Sequence, residues 1–476
     1  MVFGTIDLHY NINMNLSKIL KIVSSIFILV TLFIGVYLVG IKTGFINKAS
    51  GVPADLVVDM GNIFINQGDC WKNLAQGGES KKRMLEPVIG DIRKLQPKYI
   101  RIDHIYDNYD VVSRDGQGNL SFNWSNLDLT VKDIVAAGAT PFFSLSYMPP
   151  VISKDGKVES EPTSWNEWQY LVQKTVEHYS GVGGMNLQNV YYEVWNEPDL
   201  FGSFKAGYNK NYLDLYFYSQ RGAISATNVK PFKIGGPATT GLYKNWMDSL
   251  ISFAEKGSIR LDFLSWHNYY ADPDRYDSDV KSISAWLSDH PNYKDIELVV
   301  SEMGINSKND PAYDGKLSAI HTISAVTALQ ESVSKCFNFE IIDGEGPEKL
   351  WGRWGLLTNE KFGTPTPKTR YHAMQFLNKM VGDRVSVNGN GTWVKAFARH
   401  DGKNLRIMVS NFAPDGHSEV VPLKLINVPF ATFTSNQTKF LGTTTSPQTA
   451  TVEGGVWSTT LGMDPNTAVI IEITPN

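Results

Sequence analysis

The chain has 476 residues, of which 42% are hydrophobic and 12% aromatic, so it can bury a large core and is too long for one ordinary domain. Its formal net charge is −4 at pH 7, and no long run of one sign occurs. A nucleic-acid-binding protein would show a basic stripe, so this class is excluded, and neutral or weakly charged partners fit better.

The first predicted element is a membrane anchor. Ile22–Ile41 is a stretch of twenty uncharged, mostly apolar residues, about the length that crosses a ~30 Å hydrocarbon layer. A secretory signal has a shorter apolar core and a small-residue cleavage site, so we favour an uncleaved anchor, with secretion after cleavage as the alternative. We therefore predict a cytoplasmic tail at 1–21, a linker at 42–52, and a single-pass membrane protein whose remaining part lies outside the cytoplasm.

From residue 53 to residue 381, short apolar runs alternate with amphipathic stretches. Strands that alternate with helices predict parallel pairing with right-handed crossovers, and eight such units predict an α/β fold, the closed (β/α)8 TIM barrel. Two runs between Leu56 and Cys70 compete for the first strand. The predicted strands are Leu56–Met60, Tyr99–Asp103, Pro141–Ser146, Val190–Trp195, Phe232–Gly236, Phe263–Trp266, Glu297–Ser301 and Phe337–Ile342.

After Gly382 the helical periodicity stops, and short alternating runs separated by Gly, Asn, Asp and Pro begin. This pattern predicts a C-terminal antiparallel β-sandwich at 382–476. The two cysteines, Cys70 and Cys336, are predicted to lie at opposite ends of the barrel and to remain free thiols.

Two glutamates follow apolar strand candidates. Glu197 stands in the run YYEVWNEPDL, and Glu302 stands in IELVVSEMGINS. Active sites of this barrel lie at the C-terminal ends of the strands, so both carboxylates are expected on the catalytic face. A carboxylate pair at one site is what glycoside hydrolysis requires. The usual role of Glu, an exposed or ion-paired residue, is the competing interpretation, and two such placements together argue against it.

The motif Trp195-Asn196-Glu197-Pro198 resembles the acid/base signature of clan A of the glycoside hydrolases. Within that clan, further segments resemble glycoside hydrolase family 39, which includes β-xylosidases, α-L-iduronidases and polysaccharide-processing enzymes. The resemblance covers about residues 55–476. The segments that carry it are Tyr99–Ile105, Pro141–Pro149, Lys233–Ala238, Asp262–Tyr269 and Gly355–Lys379.

The resemblance implies a retaining glycoside hydrolase that cleaves a polysaccharide or oligosaccharide through a covalent glycosyl-enzyme, with Glu197 as general acid/base and Glu302 as nucleophile. Glu197 then needs a raised pKa, while Glu302 must stay ionised. Arg101 is expected beside Glu302, and Tyr269 is expected to bond it. Packing or ion pairing is the competing role for each of the other residues. The predicted substrate-binding residues are Arg101, Asp103, His104, Tyr147, Asn196, His267, Tyr269, Trp351 and Trp354.

Three positions depart from the family pattern. Asp103 stands where β-xylosidase members tend to carry His, the nucleophile motif is Ser-Glu-Met-Gly rather than Thr-Glu-Trp-Asn, and the last strand lacks a Trp often found there. All three positions surround the glycone pocket, so the resemblance implies the class of chemistry but not the sugar.

Two alternatives remain open at this point. One is a transglycosylase that uses the same site, and the other is an inactive barrel that binds glycans at a membrane. The predicted chemistry needs no cofactor and no metal, and the sequence shows no HExxH motif or paired Cys to hold one. The predicted partner is a carbohydrate substrate and not a nucleic acid. Linkage, exo or endo action and oligomeric state do not follow from the sequence.

Overall fold

The alternating pattern of the chain folds into two large β-sheets, one of them closed and surrounded by helices. The computed structural model describes residues 51–65, 68–78 and 83–476, and the elements below all belong to the unit Ala54–Asn476. The strands are β1 Leu56–Phe64, β2 Asn73–Gln76, β3 Tyr99–Ile102, β4 Val112–Arg114, β5 Leu120–Phe122, β6 Thr140–Leu145, β7 Val190–Val194, β8 Phe232–Thr239, β9 Phe263–Tyr269, β10 Glu297–Gly304, β11 Lys335–Phe339, β12 Asp383–Asn388, β13 Val394–His400, β14 Leu405–Asn411, β15 Glu419–Ile426, β16 Thr432–Lys439, β17 Gln448–Thr451, β18 Trp457–Met463 and β19 Thr467–Pro475.

The α-helices mostly connect the strands of the closed sheet. They are α1 Ile89–Lys94, α2 Ser125–Ala136, α3 Trp165–Tyr179, α4 Tyr212–Ser225, α5 Lys244–Gly257, α6 Asp274–Leu287, α7 Lys316–Leu329 and α8 Thr369–Leu377. Short 3-10 helices span Glu86–Val88, Pro291–Tyr293, Pro311–Asp314 and Glu360–Phe362.

The closed sheet is a parallel barrel of eight strands in the order β2, β3, β6, β7, β8, β9, β10 and β11. Its interior is filled by aromatic and aliphatic side chains, among them Phe142, Tyr191, Phe263, Val299 and Phe337. Because an unbroken strand alternates its side chains between the two faces, the residues two places further along such a strand also point inward. The predicted (β/α)8 barrel is confirmed.

The second large sheet has nine strands and is mostly antiparallel, and its order is β17, β16, β19, β14, β13, β12, β1, β15 and β18. One face covers a core of its own, as the strict alternation of buried and exposed residues along β15 shows. Other side chains of this sheet pack with the barrel core, and α7 lies against both, which explains why that helix is buried on nearly all sides.

The prediction that Leu56–Met60 is the first barrel strand is wrong. The strand Leu56–Phe64 pairs with β12 and β15 in the middle of the second sheet, and the barrel begins at Asn73–Gln76. The burial of β1 alternates, as expected for a strand with one core face, whereas all four residues of β2 are buried. A four-residue strand with polar residues at both ends has no apolar run that could reveal it.

The two cysteines lie together rather than at opposite ends of the barrel. Their sulfur atoms are 2.9 Å apart, and the Cys336 amide donates to the Cys70 carbonyl at 2.8 Å. Both thiols are free and buried. Because β2 begins after Cys70, this residue lies at the N-terminal end of the barrel beside the start of β11, which corrects the predicted position.

The predicted membrane location is also corrected. The segment Ile22–Ile41, on which that prediction rested, lies outside the described residues. Within the described part of the chain, no helix combines the length and the apolar composition needed to cross a bilayer. A single-pass membrane protein is therefore not supported.

The position of β1 leads to a stability prediction. Val58 is fully buried in the core of the second sheet, and Val57, its neighbour on the opposite face, is only partly buried. We expect Val58→Ala to lower the free energy of unfolding by about 2 kcal/mol, because it removes two buried methyl groups and leaves a cavity. Val57→Ala, the matched control, should lower it by less than half as much in urea unfolding. Equal effects would contradict the assignment of Val58 to this core.

Candidate active site

A β-bulge turns Glu302 toward the barrel interior. On β10, Val300 pairs with Trp266 of β9, but Glu302 pairs with the next residue, His267, so Ser301 is an extra residue in the strand. Val299 points inward, and an unbroken strand would therefore place Glu302 on the outer face. The extra residue restores Glu302 to the inner face, the common use of a bulge near a functional site.

A second irregularity positions Glu197 at the end of β7. The strand stops at Val194, and both Trp195 and Glu197 have positive φ values, of 73° and 46°. Such conformations are costly for residues other than glycine and persist where the surroundings hold them. Here the Glu197 amide donates to the Ala238 carbonyl at 2.9 Å, and the Trp195 indole donates to the Phe201 carbonyl at 2.8 Å.

Arg101 connects three acceptors in the centre of the site. It lies on β3, is 1% exposed, and points inward by the alternation of that strand. Its Nε donates to Glu193 Oε2 at 2.7 Å, one Nη to Glu302 Oε1 at 2.8 Å, and the other to Asn196 Oδ1 at 2.7 Å. Burial lowers the pKa of Arg101, but the charges of Glu193 and Glu302 outweigh it, so the guanidinium stays protonated.

His267 lies between the two predicted catalytic glutamates. Its Nδ1 is 2.8 Å from Glu197 Oε1 and 3.5 Å from Glu302 Oε2. Complete burial by itself lowers the pKa of His267, yet the negative charges of Glu302 and Glu197 raise it above the ordinary value of 6.5. The imidazole can therefore share a proton with the adjacent carboxylates.

Glu302 is held from a second side by Tyr269, whose hydroxyl donates to Oε2 at 2.6 Å. Burial, together with the charge of Glu302, raises the pKa of Tyr269 far above its ordinary value, so this hydroxyl remains a donor. Burial also raises the pKa of Glu302 above 4.5, although the positive charges of His267 and Arg101 oppose the shift. Arg101 and Tyr269 both donate to Glu302 and so stabilise its ionised form, the form that the predicted nucleophile needs.

These side chains open into a cavity of about 390 Å³ formed by residues that end or follow the barrel strands. Arg101 and His267 do not line the cavity themselves but contact Glu302 and Glu197, which do. Trp351 is not among the described residues that line the cavity. On one side, Gly78 approaches the His104 ring so closely that a Cβ atom would lie 2.4 Å from it. The predicted residues that line the cavity are Asp103, His104, Tyr147, Asn196, Glu197, Tyr269, Glu302 and Trp354.

Several site residues were not predicted from the sequence. Glu193 is completely buried and accepts a hydrogen bond from Arg101. The sequence did contain a signal for it, because a charged residue within a buried strand needs a partner. Arg353 lines the cavity from a loop after β11, with its guanidinium 3.6 Å from the ring centre of Trp354. Loop residues have no periodicity, so nothing in the sequence alone pointed to Arg353.

One atom each of Glu197, His267 and Glu302 forms a group within 4.8 Å, a spacing that could hold a metal ion. The Arg101 guanidinium, 2.8 Å from Glu302, opposes a cation at this place. We therefore interpret the group as a carboxylate pair with a histidine between them.

The match to known families agrees with this geometry. Residues 67–410 match the family model described as Glycosyl hydrolases family 39. The chain belongs to this family. It is a glycoside hydrolase, which confirms the resemblance found in the sequence and the predicted enzyme class.

Two curated relatives carry the name "Beta-xylosidase". The one from Caldicellulosiruptor saccharolyticus is 25% identical over 344 residues, covering 66% of this chain and 69% of the relative. The one from Geobacillus stearothermophilus is 23% identical over 356 residues, with the same coverage of 66% and 69%.

Solved structures share the fold of this family 39 chain. The GH39 enzyme from Xanthomonas axonopodis pv. citri superposes with a TM-score of 0.71 at 19% identity, covering 89% of this chain and 98% of that one. A monomeric β-xylosidase from Caulobacter crescentus CB15 gives a TM-score of 0.70 at 18% identity, covering 89% and 99%. At these identities the likeness is one of fold alone.

The buried Arg101 leads to a second stability prediction. We expect Arg101→Met to destabilise the protein by about 3–5 kcal/mol, because it leaves the buried Glu193 and Glu302 carboxylates without their cation. Arg114→Met is the control, since its pair with Glu167 is partly exposed and screened by water, so its loss should have a much smaller effect. Denaturant unfolding of both variants measures the difference. Equal losses would show that Arg101 does not compensate the buried charges.

Proposed function

We propose that this family 39 glycoside hydrolase retains the anomeric configuration by double displacement, with Glu302 as nucleophile and Glu197 as general acid/base. The observation that carries the proposal is the separation of the two carboxylates, since an oxygen of each lies within 4.8 Å of the other. Retaining enzymes have carboxyl groups about 5–5.5 Å apart, whereas inverting enzymes leave about 6.5–9.5 Å for a water.

The hydrogen bonds support this assignment of roles. Glu302 accepts from the Arg101 guanidinium and from the Tyr269 hydroxyl, and both donors favour a carboxylate that attacks as an anion. The Glu197 carboxyl is more exposed, at 13% against 6% for Glu302, and contacts His267. A general acid/base must reach the leaving oxygen and later a water, which suits the more accessible group.

In the first step, an oxygen of Glu302 bonds to the anomeric carbon while the bond from that carbon to the leaving oxygen breaks. Glu197 gives its proton to the leaving oxygen. In the second step, Glu197 takes a proton from water, the water oxygen attacks the anomeric carbon, and the bond to Glu302 breaks. The enzyme returns to its initial state with Glu197 protonated.

His267 and Asn196 support these steps. His267 lies 2.8 Å from Glu197 and shares the proton of the acid, so the pair keeps one proton available for the leaving group. Asn196 is fixed by Arg101 through Oδ1 and by the Tyr147 hydroxyl, to which Nδ2 donates at 2.7 Å. The second hydrogen of Nδ2 is then oriented for a hydroxyl of the bound sugar.

The proposed substrates are oligosaccharides or polysaccharides with an O-glycosidic bond. Because two relatives carry the name β-xylosidase, aryl β-xylosides are the first glycosides to test.

We expect Glu302→Gln to abolish turnover of aryl glycosides, because no glycosyl-enzyme can form. Glu197→Gln should lower kcat roughly 10²–10⁴-fold on substrates with poor leaving groups and much less on 2,4-dinitrophenyl glycosides, which need no acid. Steady-state rates measure both effects. NMR of the first-formed product should show the anomer of the substrate.

Azide separates the two roles. With Glu302→Ala, azide replaces the nucleophile and the glycosyl azide has inverted configuration; with Glu197→Ala, azide attacks the glycosyl-enzyme and the configuration is retained. Glu167→Gln, a surface substitution on α3, is the matched control and should not change the rates. Unchanged hydrolysis in both site variants, or an inverted wild-type product, would contradict the proposal.

The two shifted pKa values predict the pH profile of kcat/KM. Protonation of Glu302 removes the nucleophile, and its pKa is raised above 4.5, so activity should fall on the acid side at a pH higher than that value. The proton shared by His267 and Glu197 must be present for the first step. Because the pKa of His267 is raised above 6.5, the alkaline fall should come above that pH. An alkaline limb below pH 6.5 would contradict this account.

A further inference from the structure

Asp103 places a mostly buried carboxylate in the wall of the sugar cavity. It follows β3 on the same inward-facing row as Arg101, lines the cavity with Glu197 and Glu302, and is 7% exposed. Its Oδ1 is buried and has no hydrogen-bond partner within residues 51–65, 68–78 and 83–476. A buried carboxylate oxygen without a donor is unfavourable, so a donor bound beside Asp103 in the cavity would stabilise this carboxylate.

The charges around the cavity indicate which donor fits. Asp103, Glu197 and Glu302 all face it, and the positive charge of Arg101 is already shared by Glu193 and Glu302. Arg353 also lines the cavity, but its Nε is 3.8 Å from Glu340 Oε1, so its charge is partly balanced by that carboxylate, and one Nη donates to Asn309 Oδ1 at 3.1 Å. A glycone with a carboxylate would add a further negative charge beside Asp103.

We propose that Asp103 selects the glycone, with its carboxylate accepting a hydrogen bond from a hydroxyl of an uncharged sugar and its charge rejecting a uronic acid. This inference rests on the proposed function and names the substrate class of the same site. It also gives a reason for the carboxylate at this position, because Asp can only accept from the sugar at neutral pH, whereas the His of β-xylosidase members could also donate.

The test uses 4-nitrophenyl glycosides of three kinds. The neutral sugars are xylose, glucose, galactose and arabinose, the anionic sugars are glucuronic and iduronic acid, and the cationic sugar is glucosamine. Wild type should cleave a neutral glycoside best. Asp103→Ala should lower kcat/KM on that substrate roughly 10- to 100-fold, the usual effect of losing a hydrogen bond to a charged group. Asp103→Asn, which keeps the shape, should raise the ratio of uronide to neutral cleavage roughly tenfold.

Deoxygenated substrates separate recognition from a structural role. Two aryl glycosides of the preferred sugar are compared with the parent glycoside, one without the 3-hydroxyl and one without the 4-hydroxyl. Loss of one of these two hydroxyls should lower the kcat/KM of wild type. At that position the deoxy substrate should lose no further activity with Asp103→Ala, because the partner of the hydroxyl is already gone. A merely structural role would give additive losses. Asp110→Asn is the control, since Asp110 is exposed and Asn also tolerates its positive φ of 51°.

The outcomes are distinct. Preferred cleavage of a uronide or of the glucosaminide, or additive losses at both hydroxyls, would overturn the role of Asp103 and leave the hydrolase mechanism standing. Wild-type inactivity on every glycoside of the panel would overturn both proposals.

Discussion

The site depends on one buried guanidinium. Arg101 is 1% exposed and donates to Glu193 and Asn196, in and just after β7, and to Glu302 in β10, so it connects three strands of the barrel. Burying two carboxylates in a protein interior is unfavourable unless a cation is close and further hydrogen bonds are made. Removing Arg101 therefore changes both the charge and the positions of the groups that contact the sugar.

The sharing of Arg101 between two carboxylates has a chemical effect. If Glu302 alone balanced the guanidinium, the ion pair would strongly stabilise the carboxylate and make it a poorer nucleophile. Glu193 takes part of that charge, and burial raises the pKa of Glu302 above its ordinary value. The proposed nucleophile, Glu302, is therefore held in position while keeping much of its basicity. Glu197 instead contacts His267, whose Nδ1 lies 2.8 Å from Glu197 Oε1.

The sequence predicted most of the barrel and the placement of Glu197 and Glu302 at the same end of it, because both depend on local patterns. Apolar runs predicted seven of the barrel strands, and the run before Glu197 ended, as expected, at the C-terminal end of the barrel. The first strand was misassigned because Asn73–Gln76 is short and partly polar, while Leu56–Phe64 has the stronger pattern and pairs in another sheet. The bulge at Ser301 depends on register with β9, which a single sequence does not reveal. Arg353 reaches the cavity from a loop, and a loop has no periodic pattern of apolar residues from which its position could be predicted.

The strand Leu56–Phe64 has a consequence for how the chain folds during synthesis. It is the first strand made among the described elements, but its neighbours in the sheet, Asp383–Asn388 and Glu419–Ile426, are made after the whole barrel. Its backbone groups and its apolar face, including Leu56 and Val58, thus lack partners while the barrel emerges from the ribosome. The second sheet closes last, and until then an early, unpaired strand is the part of the nascent chain most exposed to association with other chains.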